Sequence, residues 1–158
     1  MGELNHIDAA GNAVMTDVSN KAVTRRRAVA TGAIAMNRET FELILGGATT
    51  KGDVLAAARI AGIMAAKKTS QLIPLCHPLM IEQCVVDFIP DAENSVIEAT
   101  CAVVTTGKTG AEMEALTGVA TALLTVYDMC KATDRSMEIR KIVLLEKSGG
   151  KSGAYTRE

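Results

Sequence analysis

Between positions 51 and 151 stand eight side chains whose types suit moving protons or fixing an anion: Lys51, His77, Glu112, Glu114, Asp128, Lys131, Lys147 and Lys151. Asp128 and Lys131 are three residues apart, so on a helix they share one face. Such a couple serves either as a surface ion pair of little energetic worth or, partly desolvated, as a proton-transfer pair. Asp128 would occupy the last helical turn, where a carboxylate has the wrong sign for the helix dipole. Helix stability therefore does not explain it. Glu112 and Glu114 fall in the first turn of the same helix, where carboxylates suit the dipole. Lys51 precedes a helix N-terminus, an unfavourable place for a cation unless an anion sits between them. Cys76 and His77 lie in LIPLCHPLM (72–80), whose two prolines exclude a regular helix or a central strand. That bend presents both residues, and His77 reads equally well as a buried, hydrogen-bonded histidine or as a ligand contact.

One long helix must position most of these groups. From Lys108 to Ala132, Met113, Leu116, Ala120, Leu123, Tyr127 and Cys130 recur at three- and four-residue steps and make one apolar stripe. Gly118, Thr121, Ala122 and Thr125 keep the opposite side small, so another helix can approach there. The uncharged run Ala115–Tyr127 is too short to cross a bilayer, which takes ~20 apolar residues. The partner is the alanine-rich helix predicted for 54–68, with Asp53 as its N-cap. A shorter helix covers 38–45 and stops at Gly46-Gly47. Strands are predicted at 21–37, 81–89, 95–106 and 137–146, the middle two forming a hairpin over PDAEN. Residues 1–20 read as a flexible arm with a solvated His6, residues 21–147 as the single folded domain, and residues 148–158 as a flexible Gly/Ser/Lys-rich tail.

The order strand, helices, strand, strand, helix, strand predicts an α+β fold. It is the ferredoxin-like split βαββαβ arrangement, an antiparallel sheet with helices on one face. The other face is not strongly polar, with Val96, Thr100 and Ala102 on it, so self-association is the simplest cover.

Composition narrows the function. At 158 residues the chain is one domain. Its 17 Lys+Arg balance 18 Asp+Glu, so no polyanion-binding surface is implied. Aromatic residues are only 3%, too few for the stacking platforms of RNA-binding sheets. No nucleic acid or membrane partner is expected. Four cysteines without a C-x-x-C pair, and no signal peptide, read as reduced thiols of a cytoplasmic protein. Only two histidines, and adjacent Cys76-His77, disfavour a metal site. Gly107-Lys108-Thr109 imitates a phosphate-binding loop, but G-x-x-x-x-G-K-[ST] needs glycine where Ala102 stands. Thr109 instead forms a T-x-x-E capping box with Glu112. The triplet Arg25, Arg26 and Arg27 reads as an edge-protecting feature or an anion contact.

Five blocks carry a resemblance: Lys51-Gly52-Asp53, LIPLCHPL (72–79), GKTGAEMEALT (107–117), YDMCKA (127–132) and KSGGKSG (147–153). In this order and spacing the chain, from about His6 to its tail, resembles the cyclic pyranopterin monophosphate synthase family, the protein C family of molybdenum cofactor biosynthesis. The resemblance implies a lyase acting on a cyclised GTP derivative, 3',8-cyclo-7,8-dihydroguanosine triphosphate, supplied by an upstream radical enzyme. The family opens the imidazole ring, builds the pyranopterin and closes a cyclic phosphate with loss of pyrophosphate. The radical step belongs to the upstream enzyme, so no iron–sulfur cluster is expected here, and the chain is assigned no cofactor and no metal-ligating residues. Carried over residue by residue, Asp128, Lys51 and Lys131 resemble the catalytic groups. Leu75, Cys76, His77, Met113 and Glu114, with Glu112, resemble the substrate contacts, and Arg26, Lys147 and Lys151 are the candidates for the triphosphate. A homohexamer, a trimer of dimers with active sites at dimer interfaces, is also implied. The rival is a non-enzymatic module that binds a small anion or another protein, and it would be indifferent to loss of Asp128 or either lysine.

Overall fold

The computed structural model describes residues 6–47, 52–151 and 153–158. In chain order the elements are β1 (Thr24–Ala35), α1 (Arg38–Leu45), α2 (Val54–Ala66), α3 (Thr69–Leu72), β2 (Ile81–Asp91), β3 (Val96–Gly107), α4 (Glu112–Cys130), β4 (Glu138–Ser148) and β5 (Tyr155–Thr156). Every pairing is antiparallel and the sheet order is β2-β3-β1-β4-β5. The predicted α+β class, with an antiparallel sheet and a packed helical layer, is present. β5, pairing with Glu146 and Lys147 of β4, is a strand that sequence reasoning does not foresee.

β1 is central because its inward residues are small. Ala28, Ala30 and Ile34 are fully buried, and Gly32 lies under α4, where a Cβ would meet Leu123 Cδ1 at 2.9 Å and Val119 Cγ1 at 3.0 Å. On β3 the alternate residues Ile97, Ala99, Cys101 and Val103 complete this floor, each fully buried. α4 covers it with Ala115, Val119, Ala122, Leu123 and Val126. The small side of α4 meets α2 as predicted: a Cβ on Gly62 would stand 2.9 Å from the Gly118 carbonyl oxygen and 3.3 Å from Ala122 Cβ. Close backbone approach of this kind tolerates no added methyl without a shift. Asp53 caps α2 as predicted, its carboxylate accepting from the Ala56 N–H at 2.9 Å.

The start of α4 corrects one expectation. The helix begins at Glu112 after Ala111, with no side-chain cap, so the Thr109–Glu112 capping box does not form. The Glu112 carboxylate points instead to Lys147 of β4, accepting from Nζ at 2.9 Å. An ion pair from a distant strand outcompetes a local cap here. α2 also ends earlier than expected, at Ala66, and α3 forms a separate turn before the bend.

Beyond α4, Asp134 ties the helix exit to the β1–α1 junction. It is nearly buried and accepts from the Asn37 N–H at 2.8 Å, the Ser136 N–H at 2.8 Å and Ser136 Oγ at 2.6 Å. The Asn37 N–H, then the Ser136 hydroxyl, hold its carboxyl below the ordinary range. A depressed carboxylate pKa adds stability that is present above the unfolded-state value and lost as pH falls through the folded one. Asp134→Ala is expected to cost about 1–3 kcal/mol at neutral pH, because three donors lose a charged acceptor. The deficit should shrink in urea titrations run at progressively lower pH.

Apolar residues remain uncovered on both layers. On the sheet face away from the helices Val85 is 40% and Ile89 60% exposed, and on the helical layer Ile60, Met64 and Leu124 are at least half exposed. Among the described residues no helix is long and apolar enough to cross a membrane.

Candidate active site

The bend after α3 folds back through a Cys76 N–H to Ile73 carbonyl bond of 3.1 Å, which brings residues 75–77 against the first turn of α4. Between them lies a cavity of about 220 Å³ lined by Leu75, Cys76, His77, Glu112, Met113 and Glu114. All six residues assigned as substrate contacts therefore converge on one place.

Glu114 is the most unusual of them. It is only 4% exposed, and burial, with the Glu112 charge adding to it, pushes its carboxyl pKa up to about 7. A carboxyl poised near neutrality inside a cavity can accept or deliver a proton at working pH. The Cys76 thiol is pushed up by burial and then by the neighbouring Glu114 charge, which leaves it a weak nucleophile. Glu112 and Lys147 form a half-buried ion pair beside it.

Sequence reasoning missed the far wall. His6, Thr16, Val18 and Lys21 of the N-terminal arm line the same cavity. His6 Nδ1 lies 3.4 Å from Thr16 Oγ1, and Lys108 Nζ donates to the Ser19 carbonyl at 2.6 Å, fastening the arm to the loop before α4. The Lys108–Ser19 bond spans 89 residues, so no local periodicity announces it.

A second cavity, about 680 Å³, adjoins the first and is lined by Lys21, Arg26 and Lys151 together with Asn20, Thr24 and Gly150; Asp17 adds one carboxylate to its wall. Arg26 is nine-tenths buried and rigidly held: Nε donates to the Gly107 carbonyl at 3.1 Å and Nη2 to the Lys108 carbonyl at 3.0 Å. The Gly150 backbone, at φ +79, lies against the guanidinium where any Cβ would collide. Glycine is required there both by sign of φ and by space. Arg26 and Lys151 thus share a cationic cavity, and Lys147 stands at the other one, paired with Glu112.

Asp128 and Lys131 are joined at 2.6 Å, both more than half exposed, with Lys131 as the C-cap of α4. They stand at the opposite end of the helix. At 1.5 Å per residue, the 16 residues from Glu112 put Asp128 roughly 24 Å from the cavity. One chain does not bring this pair to the substrate contacts. Lys51 lies outside the described residues. Among those residues, no group of three or more His, Cys, Asp or Glu side chains converges as a metal site would require.

The bend, α4, the end of β4 and the arm from residue 15 onward fall within residues 15–150, which match the MoaC family model. The chain is 58% identical over 156 residues to the cyclic pyranopterin monophosphate synthase of Clostridium botulinum (strain Alaska E43 / Type E3), covering 99% of this chain and 98% of that one. It is 58% identical over 155 residues to the enzyme of that name from Thermoanaerobacter pseudethanolicus, covering 98% of each. The synthase of Chloroflexus aggregans is 54% identical over 156 residues, 99% of this chain and 94% of its own. With likeness at this level running through every segment that walls the two cavities, the chain belongs to the MoaC family.

Proposed function

We propose that this chain is a cyclic pyranopterin monophosphate synthase of molybdenum cofactor biosynthesis, acting in the cytoplasm. It converts 3',8-cyclo-7,8-dihydroguanosine triphosphate to cyclic pyranopterin monophosphate and releases pyrophosphate. The observation that carries this reading is the convergence of Leu75, Cys76, His77, Glu112, Met113 and Glu114 on one cavity next to a second one lined by Lys21, Arg26 and Lys151. A ring system and a polyphosphate need just such a pair of compartments. The names of the relatives support the same reaction.

The residue types fit the chemistry. Ring opening and closure move protons, which Glu114 can hold near neutral pH, and Asp128 with Lys131 supplies a second proton-transfer couple. Departure of pyrophosphate calls for fixed positive charge, which Arg26, Lys147 and Lys151 provide, with Lys51 as a further catalytic cation.

The roughly 24 Å between the cavity and Asp128 is bridged in this reading by a second copy of the chain. Leu124, four residues before Asp128 on the same face of α4, is 58% exposed, and Ile60 and Met64 of the adjoining α2 are 60% and 50% exposed. An apolar patch beside a catalytic pair suits a partner that covers the patch and brings its own cavity to Asp128. The assembly is a homohexamer built as a trimer of dimers, with each site shared across a dimer. The purified chain, incubated with the cyclised nucleotide, is expected to yield the pterin product and pyrophosphate in equal amounts. Substrate left unconsumed by a folded, oligomeric preparation would overturn the assignment.

A further inference from the structure

The two cavities share one residue, Lys21. Its neighbours do not have this position: Asn20 and Ala22 line the second cavity only, and Thr16 and Val18 line the first but not the second. The backbone here is fixed by a turn, the Lys21 N–H donating to the Val18 carbonyl at 3.0 Å, and the Lys108–Ser19 bond pins that turn to the loop before α4. Among the described residues no carboxylate pairs with the Lys21 ammonium, whereas Lys147 is paired with Glu112 and Lys131 with Asp128. Lys21 is thus an exposed cation, held by its backbone, at the junction of the two compartments.

The proposed reaction puts one atom at such a junction. A cyclic phosphate closes when a substrate hydroxyl oxygen bonds to the phosphorus nearest the sugar. The bond from that phosphorus to the oxygen bridging to the next phosphate breaks, and pyrophosphate leaves with the electron pair. The hydroxyl proton passes to the Glu114 carboxylate. With the ring system in the first cavity and the departing pyrophosphate in the second, the reacting phosphorus lies where the cavities meet. We propose that Lys21 is a catalytic residue of this step, its ammonium neutralising the charge that develops on the phosphoryl oxygens and on the leaving bridge oxygen as pyrophosphate departs. The inference rests on the synthase reading above. A cation aimed at developing charge acts on the transition state more than on the bound substrate, so its loss shows in kcat more than in KM. Lys151 lines only the second cavity, and its loss should show in KM.

The test compares Lys21→Met, Lys21→Arg and Lys151→Met with the full chain as it stands, measuring pyrophosphate release from the cyclised nucleotide and inhibition by inorganic pyrophosphate. Lys21→Met is expected to lower kcat by about 100-fold or more, on the scale of losing one preorganised charge-stabilising donor. Inhibition by inorganic pyrophosphate should change far less than kcat, and Lys21→Arg should recover most of the rate by restoring the charge. Lys151→Met should instead raise KM and weaken inhibition by inorganic pyrophosphate. A Lys21→Met protein that releases pyrophosphate at close to the unsubstituted rate overturns the placement of Lys21 while leaving the reaction itself standing. The same holds if Lys21→Arg is as slow as Lys21→Met. Failure of the unsubstituted chain to release any pyrophosphate overturns both.

Discussion

Asp128→Asn is expected to lower turnover by about 100-fold or more, the scale of losing a proton-transfer group, and to leave thermal unfolding nearly unchanged. The stability half of this expectation comes from the geometry. The Asp128–Lys131 pair is 2.6 Å long, but its side chains are 64% and 53% exposed, and exposed pairs contribute roughly 0–1 kcal/mol. Asp128 also sits at the negative end of the α4 dipole, so neutralising it relieves an unfavourable interaction of about 0.3–1 kcal/mol. The two effects oppose each other and are of similar size. Lys131→Ala should behave alike in turnover, and Lys51→Ala is expected to join them on the strength of its place in the sequence. A structural role would give the reverse pattern, with earlier melting and normal turnover in the folded fraction. Calorimetry and steady-state rates on the same preparations separate the two.

Glu114→Gln should make the protein more stable and inactive at once. The folded carboxyl titrates at about 7 because burial penalises its charge, with Glu112 adding to the effect. In the unfolded chain the same group titrates in the ordinary glutamate range. Between those two values the folded state holds more protons than the unfolded state, so stability falls as pH rises through this window, and the cost is fully present above it. Glutamine removes the charge at every pH. The variant should therefore exceed the unsubstituted protein by on the order of 1–3 kcal/mol near pH 8, and the gain should vanish near pH 4. Urea titrations across that range check the slope; a difference independent of pH would show that Glu114 is not a buried acid of this kind. A residue that costs stability and is retained in a cavity is the pattern of a functional group.

Much of this was legible in local sequence, and the exceptions share a cause. The Asp53 cap, the small faces of α2 and α4 and the proline-bounded bend at Cys76-His77 are written in neighbouring residues, and the structure has them where the sequence puts them. The capping box at Thr109 failed because Glu112 answers to Lys147, 35 residues on. β5 is two residues long after a glycine-rich stretch, and only its pairing with β4 defines it. His6 and Lys21 became cavity residues through an arm fastened by the Lys108–Ser19 bond, which spans 89 residues. Tertiary contacts of this range leave no period in the sequence. The separation of Asp128 from Glu112, by contrast, follows directly from helix rise.

That separation gives the most direct test of a shared active site. Asp128→Asn and Glu114→Gln remove groups from opposite ends of α4, and each variant alone is expected to be inactive. Mixing them under conditions that exchange subunits produces hybrid dimers in which one site receives both intact groups, one from each chain. Random pairing across a two-fold interface should restore about a quarter of the unsubstituted rate. Mixed oligomers, verified by differential tagging, that stay as inactive as their parents would contradict a site built from two copies of this chain.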